Sequence, residues 1–304
     1  MFLVVLMYSI LALTFVFAKK ALNYTSPFFL IGFRMIIAGS ILLLYQRFFS
    51  NKPFKIEKKD YILFFKTALF HIYFAFNLEF WALQYVSAIK STLIFTATPF
   101  VSAILAYFLL SQKLSTKKVI GIIVGIGGLV PIISLHVQTG AEFKAIACFA
   151  LPDAVLFLAV ISGAYAWFLV MRLMERGYGL GMINGMAMLV GGILSMCTAI
   201  AFEDLSHPVS NWPVFLVWLF LLILAANIIF YNMFGWLLNR YTITFLTFSG
   251  ILSPSFGTIY EWLFFGGKIG WQHITSLIFV ASGLFIFYRD ELKKKPQLPP
   301  FDAS

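Results

Sequence analysis

Charge is scarce in this chain. Asp, Glu, Lys and Arg together make 11% of its 304 residues, where a soluble domain carries roughly 25%. That shortage excludes a water-soluble globule. Cysteine is scarcer still: Cys148 and Cys197 are the only two, both in apolar surroundings, which excludes a disulfide framework. No Walker-type phosphate loop, HExxH zinc motif or nucleophile elbow occurs. ATP-driven pumping within the chain is thereby excluded, and neither a cofactor nor a metal is expected. The opening stretch, MFLVVLMYSILALTFVFAKKA, has no basic residue ahead of its apolar core. A signal peptide requires one, so the segment reads as a retained first helix.

Long apolar runs are what the sequence has instead. Hydrophobic residues make up 61% of it, and about 20 in succession suffice to cross a bilayer. Ten spans can be marked: Phe2–Ala18, Pro27–Tyr45, Tyr61–Leu83, Thr92–Leu110, Val119–Leu135, Leu151–Met171, Gly179–Phe202, Trp212–Leu238, Ile243–Phe265 and Trp271–Tyr288. Runs this long and continuous are helices rather than barrel strands. The expected fold is therefore all-α and polytopic. The net charge of +10 lies in short loops, where topology explains it and nucleic acid need not. Fifteen Lys and Arg fall in the loops after even-numbered spans and in the tail, against five on the opposite side. That imbalance places both termini in the cytoplasm. The polar, proline-rich tail, residues 289–304, reads as disordered.

Sliding the chain by 155 residues aligns Asn77 with Asn232, Trp81 with Trp236 and Pro99 with Pro254, among ten identities in 53 positions. The shift equals five spans, an odd number, so the two halves must be inverted. The division expected is 1–135 and 151–288, joined by a linker at 136–150. Inverted repeats are a plan of secondary transporters, with the solute at the interface between repeats. A duplication kept only for packing is the other reading.

The stretches FFLIGFRMIIAGSILLL, WALQYVSAIKSTLIFTATPFVSAILAYFLLSQKLS, IIVGIGGLVPII and WLLNRYTITFLTFSGILSPSFGTIYEWLFFGGKI resemble the drug/metabolite transporter superfamily, in its EamA-type branch. The likeness covers nearly the whole chain. It implies ten helices in two inverted sets of five around a central cavity, with the fifth and tenth more peripheral. The Gly-Glu that often closes the fourth helix of each half is replaced here by Ser111-Gln112-Lys113 and Gly266-Gly267-Lys268.

Within the spans, Pro99 and Pro254 are expected to kink their helices, as gates or as static bends. Charges in a bilayer face the protein interior or water. Arg34, seven residues into its span, lies roughly 10 Å deep. With Lys20, Lys90, Glu79 and Glu261 it makes an outward-facing vestibule of both signs, suited to a zwitterion; mutual neutralisation and snorkelling are the competing account. Asn77, Trp81 and Tyr85 join the candidate binding residues, the rings as stacking or cation–π surfaces or as an interfacial belt. His71 is either a proton-coupling group or a bonded core histidine. Gly121–Gly125 and Gly181–Gly185 are close-packing faces, the first a conceivable homodimer contact.

Together these readings point to a secondary transporter or exchanger of a small polar metabolite. It would work by alternating access across a bacterial inner membrane, coupled to a proton or to an exchanged metabolite. The superfamily includes carriers of S-adenosylmethionine, a zwitterion that fits the mixed charges. The alternatives are a membrane-embedded enzyme built on His71, Glu79 and Lys90, an exporter of amino acids or drugs, and a non-transporting scaffold.

Overall fold

The structure is a computed structural model and describes residues 1–50, 54–85, 94–95, 97–112, 115–128, 130, 150–265 and 271–291. Eleven helices are described: α1 (Phe2–Leu22), α2 (Pro27–Phe49), α3, α4 (Thr98–Leu110), α5 (Thr116–Gly127), α6 (Leu151–Glu175), α7 (Leu180–Phe202), α8, α9 (Ile243–Ser249), α10 (Leu252–Phe265) and α11 (Trp271–Glu291). The third, α3, is α-helical over Tyr61–Ala68, widens to π over Leu69–Phe74 and resumes over Ala75–Ala82. Likewise α8 is α-helical over Trp212–Leu222, π over Ile223–Phe230 and α-helical again over Tyr231–Leu237. The described residues hold no β-strand, only an isolated bridge between Thr25 and Val209. Among the described residues, six rods are long and apolar enough to cross a membrane: α1, α2, Lys58–Ala82, α6, α7 and Trp212–Leu237.

Local chemistry sets the helix starts. Proline occupies the first turn of α2, α4, α6 and α8, where its missing N–H leaves nothing unsatisfied. Side-chain oxygens of Ser115, Asn211 and Thr242 accept from the backbone N–H three residues on and cap α5, α8 and α9. Here the structure departs from expectation. The ninth span is not continuous but breaks at Gly250–Ile251, so Pro254 stands in the first turn of α10. Pro99 opens α4 in the same manner. Both prolines stand in the first turn of a described helix.

Two antiparallel pairs pack most closely. A Cβ at Gly39 of α2 would lie 2.5 Å from the Leu189 nitrogen and 2.8 Å from the Gly185 carbonyl oxygen of α7, and one at Gly32 would lie 2.8 Å from the Met196 nitrogen. Only glycine permits that approach. On the far side, α5 meets α11, with a Cβ at Gly121 falling 2.8 Å from the Gly283 carbonyl oxygen. The Gly121–Gly125 face is thus filled by the same chain and is not free for a second copy. Elsewhere α1 packs on α8 and α10, α6 packs on α3 and α4, and α4 packs on α9. Large apolar side chains such as Ile41, Leu44, Phe108, Ile200 and Phe220 point outward. Such a surface is costly in water and suits lipid.

Each end of the bundle is tied differently. At one end the Glu203 carboxylate, just past α7, accepts from the Ser26 hydroxyl (2.6 Å) and from the Phe28 and Phe29 N–H groups (2.8 Å each), capping α2. Beside it, Thr25 donates to the Pro208 carbonyl at 2.7 Å and Ser210 N–H donates to the Tyr24 carbonyl at 2.9 Å. At the other end Asp60, buried at the foot of α3, pairs with Arg176 and accepts from Tyr178 Oη at 2.6 Å. Burial, and then this hydrogen bond, raises the Tyr178 hydroxyl above its ordinary range, so it stays a donor. The Met1 ammonium donates to Tyr241 Oη at 3.0 Å, and Tyr241 faces Tyr288 at 6.3 Å between ring centroids. Both ends of the described chain therefore share the end that carries Asp60 and Tyr178. Arg47, Lys55, Lys58, Lys59, Lys117, Arg172, Arg176, Arg240 and Arg289 lie there too.

Candidate functional site

Between these ends, α2, α3, α6, α7 and α8 contribute to a polar compartment, a group of mostly buried polar and aromatic side chains in the apolar core. Arg34 projects from α2, is buried, and lays its guanidinium carbon 5.1 Å from the centroid of Phe76 on α3. Its Nε has no hydrogen-bond partner. Glu79, partly exposed on α3, and Tyr231 of α8 lie within electrostatic reach of it. Neither carboxylate nor guanidinium makes a direct ion pair among the described residues. Asn77, two residues before Glu79, donates to Ser195 Oγ of α7 at 2.7 Å and to the Tyr73 carbonyl at 2.8 Å, leaving its own Oδ1 unpartnered.

His71 sits in the π segment of α3. It is buried with Nε2 unpartnered. Its ring meets Trp167 of α6 edge-on at 4.6 Å and Tyr231 at 4.9 Å. Trp167 in turn stacks on Phe234 of α8 at 3.9 Å. On α8, Asn227 lies inside the π segment and donates to the Met35 sulfur at 3.1 Å; Asn232 accepts from Asn184 Nδ2 at 3.2 Å. The Oδ1 atoms of Asn184 and Asn227 are buried without partners. Buried polar atoms are almost always satisfied, and the several left open in this one region make it the candidate site. π segments recur at functional sites because they re-aim side chains out of the regular helical register.

The structure gathers Arg34, Asn77, Glu79 and His71 from the residues expected to matter. It separates others. Lys20 is half-buried at the end of α1, while Trp81 packs on the exposed Tyr85 at 5.0 Å, nearer the capped end than the compartment. Lys90 lies outside the described residues, as do the side chains of Glu261 and Pro254. Trp236 is exposed beneath Arg240 at 4.3 Å, which fits the interfacial belt. Trp167, Asn184, Ser195, Asn227, Tyr231 and Phe234 were not anticipated. An asparagine in each of two apolar spans was the available signal, since amides in lipid face the interior. No group of residues able to hold a metal occurs among the described residues.

A separate cleft of about 270 Å³ opens at the end that carries Asp60. It is lined by Met171, Met174, Glu175, Tyr178, Leu180, Leu238 and Asn239.

Comparison with known proteins places the chain beside a transporter family, two named relatives and a solved structure. The model of the EamA-like transporter family matches residues 1–134 and 151–289. A protein of Chlamydia muridarum named as an S-adenosylmethionine/S-adenosylhomocysteine transporter is 28% identical over 297 residues, covering 96% of this chain and 92% of the relative. A Chlamydia trachomatis protein of the same name is 28% identical over 300 residues, covering 96% and 90%. One solved crystal structure superposes with a TM-score of 0.71 at 18% identity, over 96% of this chain and 97% of that one; this likeness concerns the fold alone.

Proposed function

Given that this chain belongs to the EamA-like transporter family, we propose that it carries a small zwitterion of the S-adenosylmethionine kind across a bacterial inner membrane, as a secondary transporter or exchanger working by alternating access. It is a membrane transporter and not an enzyme.

One observation carries the choice of solute. Arg34 is a buried cation whose Nε meets no acceptor, with a carboxylate near but not bonded to it. An uncompensated buried charge is expensive. A solute carboxylate on Arg34 and its ammonium toward Glu79 would satisfy both groups, with Asn77 and Tyr231 as further partners. Full-length relatives named for carriers of such a zwitterion support the same assignment.

Alternating access draws support from internal correspondence. Under the 155-residue shift α2 maps on α7 and α5 on α11, and these are the glycine-packed antiparallel pairs. The same shift carries the contacts of α1 with α8 and α10 onto those of α6 with α3 and α4. It places Leu69–Phe74 within Ile223–Phe230, π segment on π segment. An inverted pair of five-helix repeats accounts for all three, with Pro99 and Pro254 opening equivalent half-helices and the polar compartment between the repeats. The basic end faces the cytoplasm on this reading.

The test is uptake of radiolabelled S-adenosylmethionine by cells expressing the chain, followed by counterflow. Preloaded S-adenosylhomocysteine should accelerate entry. Folded protein in the membrane with no uptake of either compound would overturn the assignment of solute, and efflux of amino acids or drugs would point to the exporter.

A further inference from the structure

We propose that the cleft at the ends of α6 and α8 is the cytoplasmic port of the transport route, and that the Trp167–Phe234 stack is the plug that closes it. This rests on the transporter reading above.

The argument is one of order along the helices. Met171 and Leu238 line the cleft. Each stands four residues from a plug ring, Trp167 on α6 and Phe234 on α8, or about 6 Å along the axis. Both rings are buried and stack face to face at 3.9 Å. Directly behind them come His71, 4.6 Å from Trp167, and then Tyr231, 4.9 Å from His71. Tyr231 lies within electrostatic reach of Arg34, so the polar compartment lies on the far side of the stack from the cleft. Along α6 and α8 the Trp167–Phe234 stack thus stands between the cleft and the unsatisfied polar groups.

The surroundings suit a movable layer. The plug touches α3 through His71, inside one π segment, and belongs to α8 just beyond another. A π turn holds a register from which a helix can relax without breaking its neighbours. Met171 and Met174 line the cleft with side chains that repack readily. At the mouth, Glu175 and Asn239 offer a carboxylate and an amide. That pairing can meet a solute's ammonium or sulfonium group, with Arg172 within electrostatic reach of Glu175.

The experiment needs no knowledge of the solute. Cys148 and Cys197 are replaced by Ser, and Ser195→Cys places one thiol beyond the plug, beside Asn77. A membrane-impermeant cationic methanethiosulfonate is then applied to inside-out and right-side-out vesicles. Trp167→Ala and Phe234→Ala should each speed labelling from the inside by about tenfold, the factor that losing one aromatic pair gives. Labelling from the outside should not change. Trp167→Phe, which keeps a stack, should leave the inside rate slow and serves as the folding control. An unchanged inside rate in both alanine variants, or an increase confined to the outside, overturns the port. Fast labelling in a chain that takes up no S-adenosylmethionine keeps the port and removes the solute assignment instead.

Discussion

The α2–α7 seam and the compartment beside it both draw on α2 and α7, to opposite specifications. Along the seam, backbone meets backbone: Gly32 and Gly39 admit α7 to distances at which any Cβ would collide. Its capped end is closed by Glu203, which satisfies Ser26, Phe28 and Phe29 together. A few side chains away, Arg34 of α2 and Asn184 of α7 keep buried polar atoms without partners. In lipid there is no hydrophobic force to join helices, so close van der Waals packing of small residues supplies it. The seam is that packing. The compartment is what rigidity along the seam makes tolerable: buried polar groups held apart from one another.

Substitutions can break this contrast from either side. The largest effect is expected at Arg34. Arg34→Met should lower uptake by about a hundredfold or more, the factor for a lost buried charge contact. Folded yield should match or exceed the parent, because the variant removes an uncompensated charge. Equal losses of uptake and of fold would make Arg34 part of the scaffold. Gly39→Val should do the reverse. It should destabilise the protein by about 1–3 kcal/mol or more through overpacking, read as a lower unfolding temperature in detergent, with uptake per folded molecule retained. Glu203→Ala removes the cap and should cost about 1–2 kcal/mol, again without effect on affinity for the solute. The smallest change is expected from Tyr178→Phe, which keeps its edge-on contact with Phe64 at 5.0 Å and loses one donor to Asp60, about 1 kcal/mol. A loss of transport larger than the loss of stability in that variant would tie the Asp60 cluster to movement rather than to fold.

Much of this architecture was legible in the sequence. The apolar runs gave the helices to within a few residues: Pro27–Tyr45 became Pro27–Phe49, and Leu151–Met171 became Leu151–Glu175. Hydropathy senses the lipid-facing core of a span and misses the polar last turn, which explains the shortfall. The broken ninth span was not foreseen, because Gly250–Ile251 interrupts hydrogen bonding without interrupting apolarity. The π segments share that invisibility; a changed register leaves no periodic trace in LFHIYF or ILAANIIF. Of the candidate site, rare charges and amides singled out Arg34, Asn77, Glu79 and His71. Trp167, Tyr231 and Phe234 were hidden by abundance, since aromatic residues make up 18% of the chain and most of them only fill space. Glu203, assigned no role from its loop position, is the principal cap of α2.

The glycine contacts between α2 and α7 and between α5 and α11 also bear on how the chain is assembled. They lie between residues before 130 and residues after 150, and they close by shape alone. A polypeptide cut between those positions, with its two fragments made from separate genes, should therefore reassemble in the bilayer into a working carrier. Covalent continuity between the fragments would then govern only how fast they find each other.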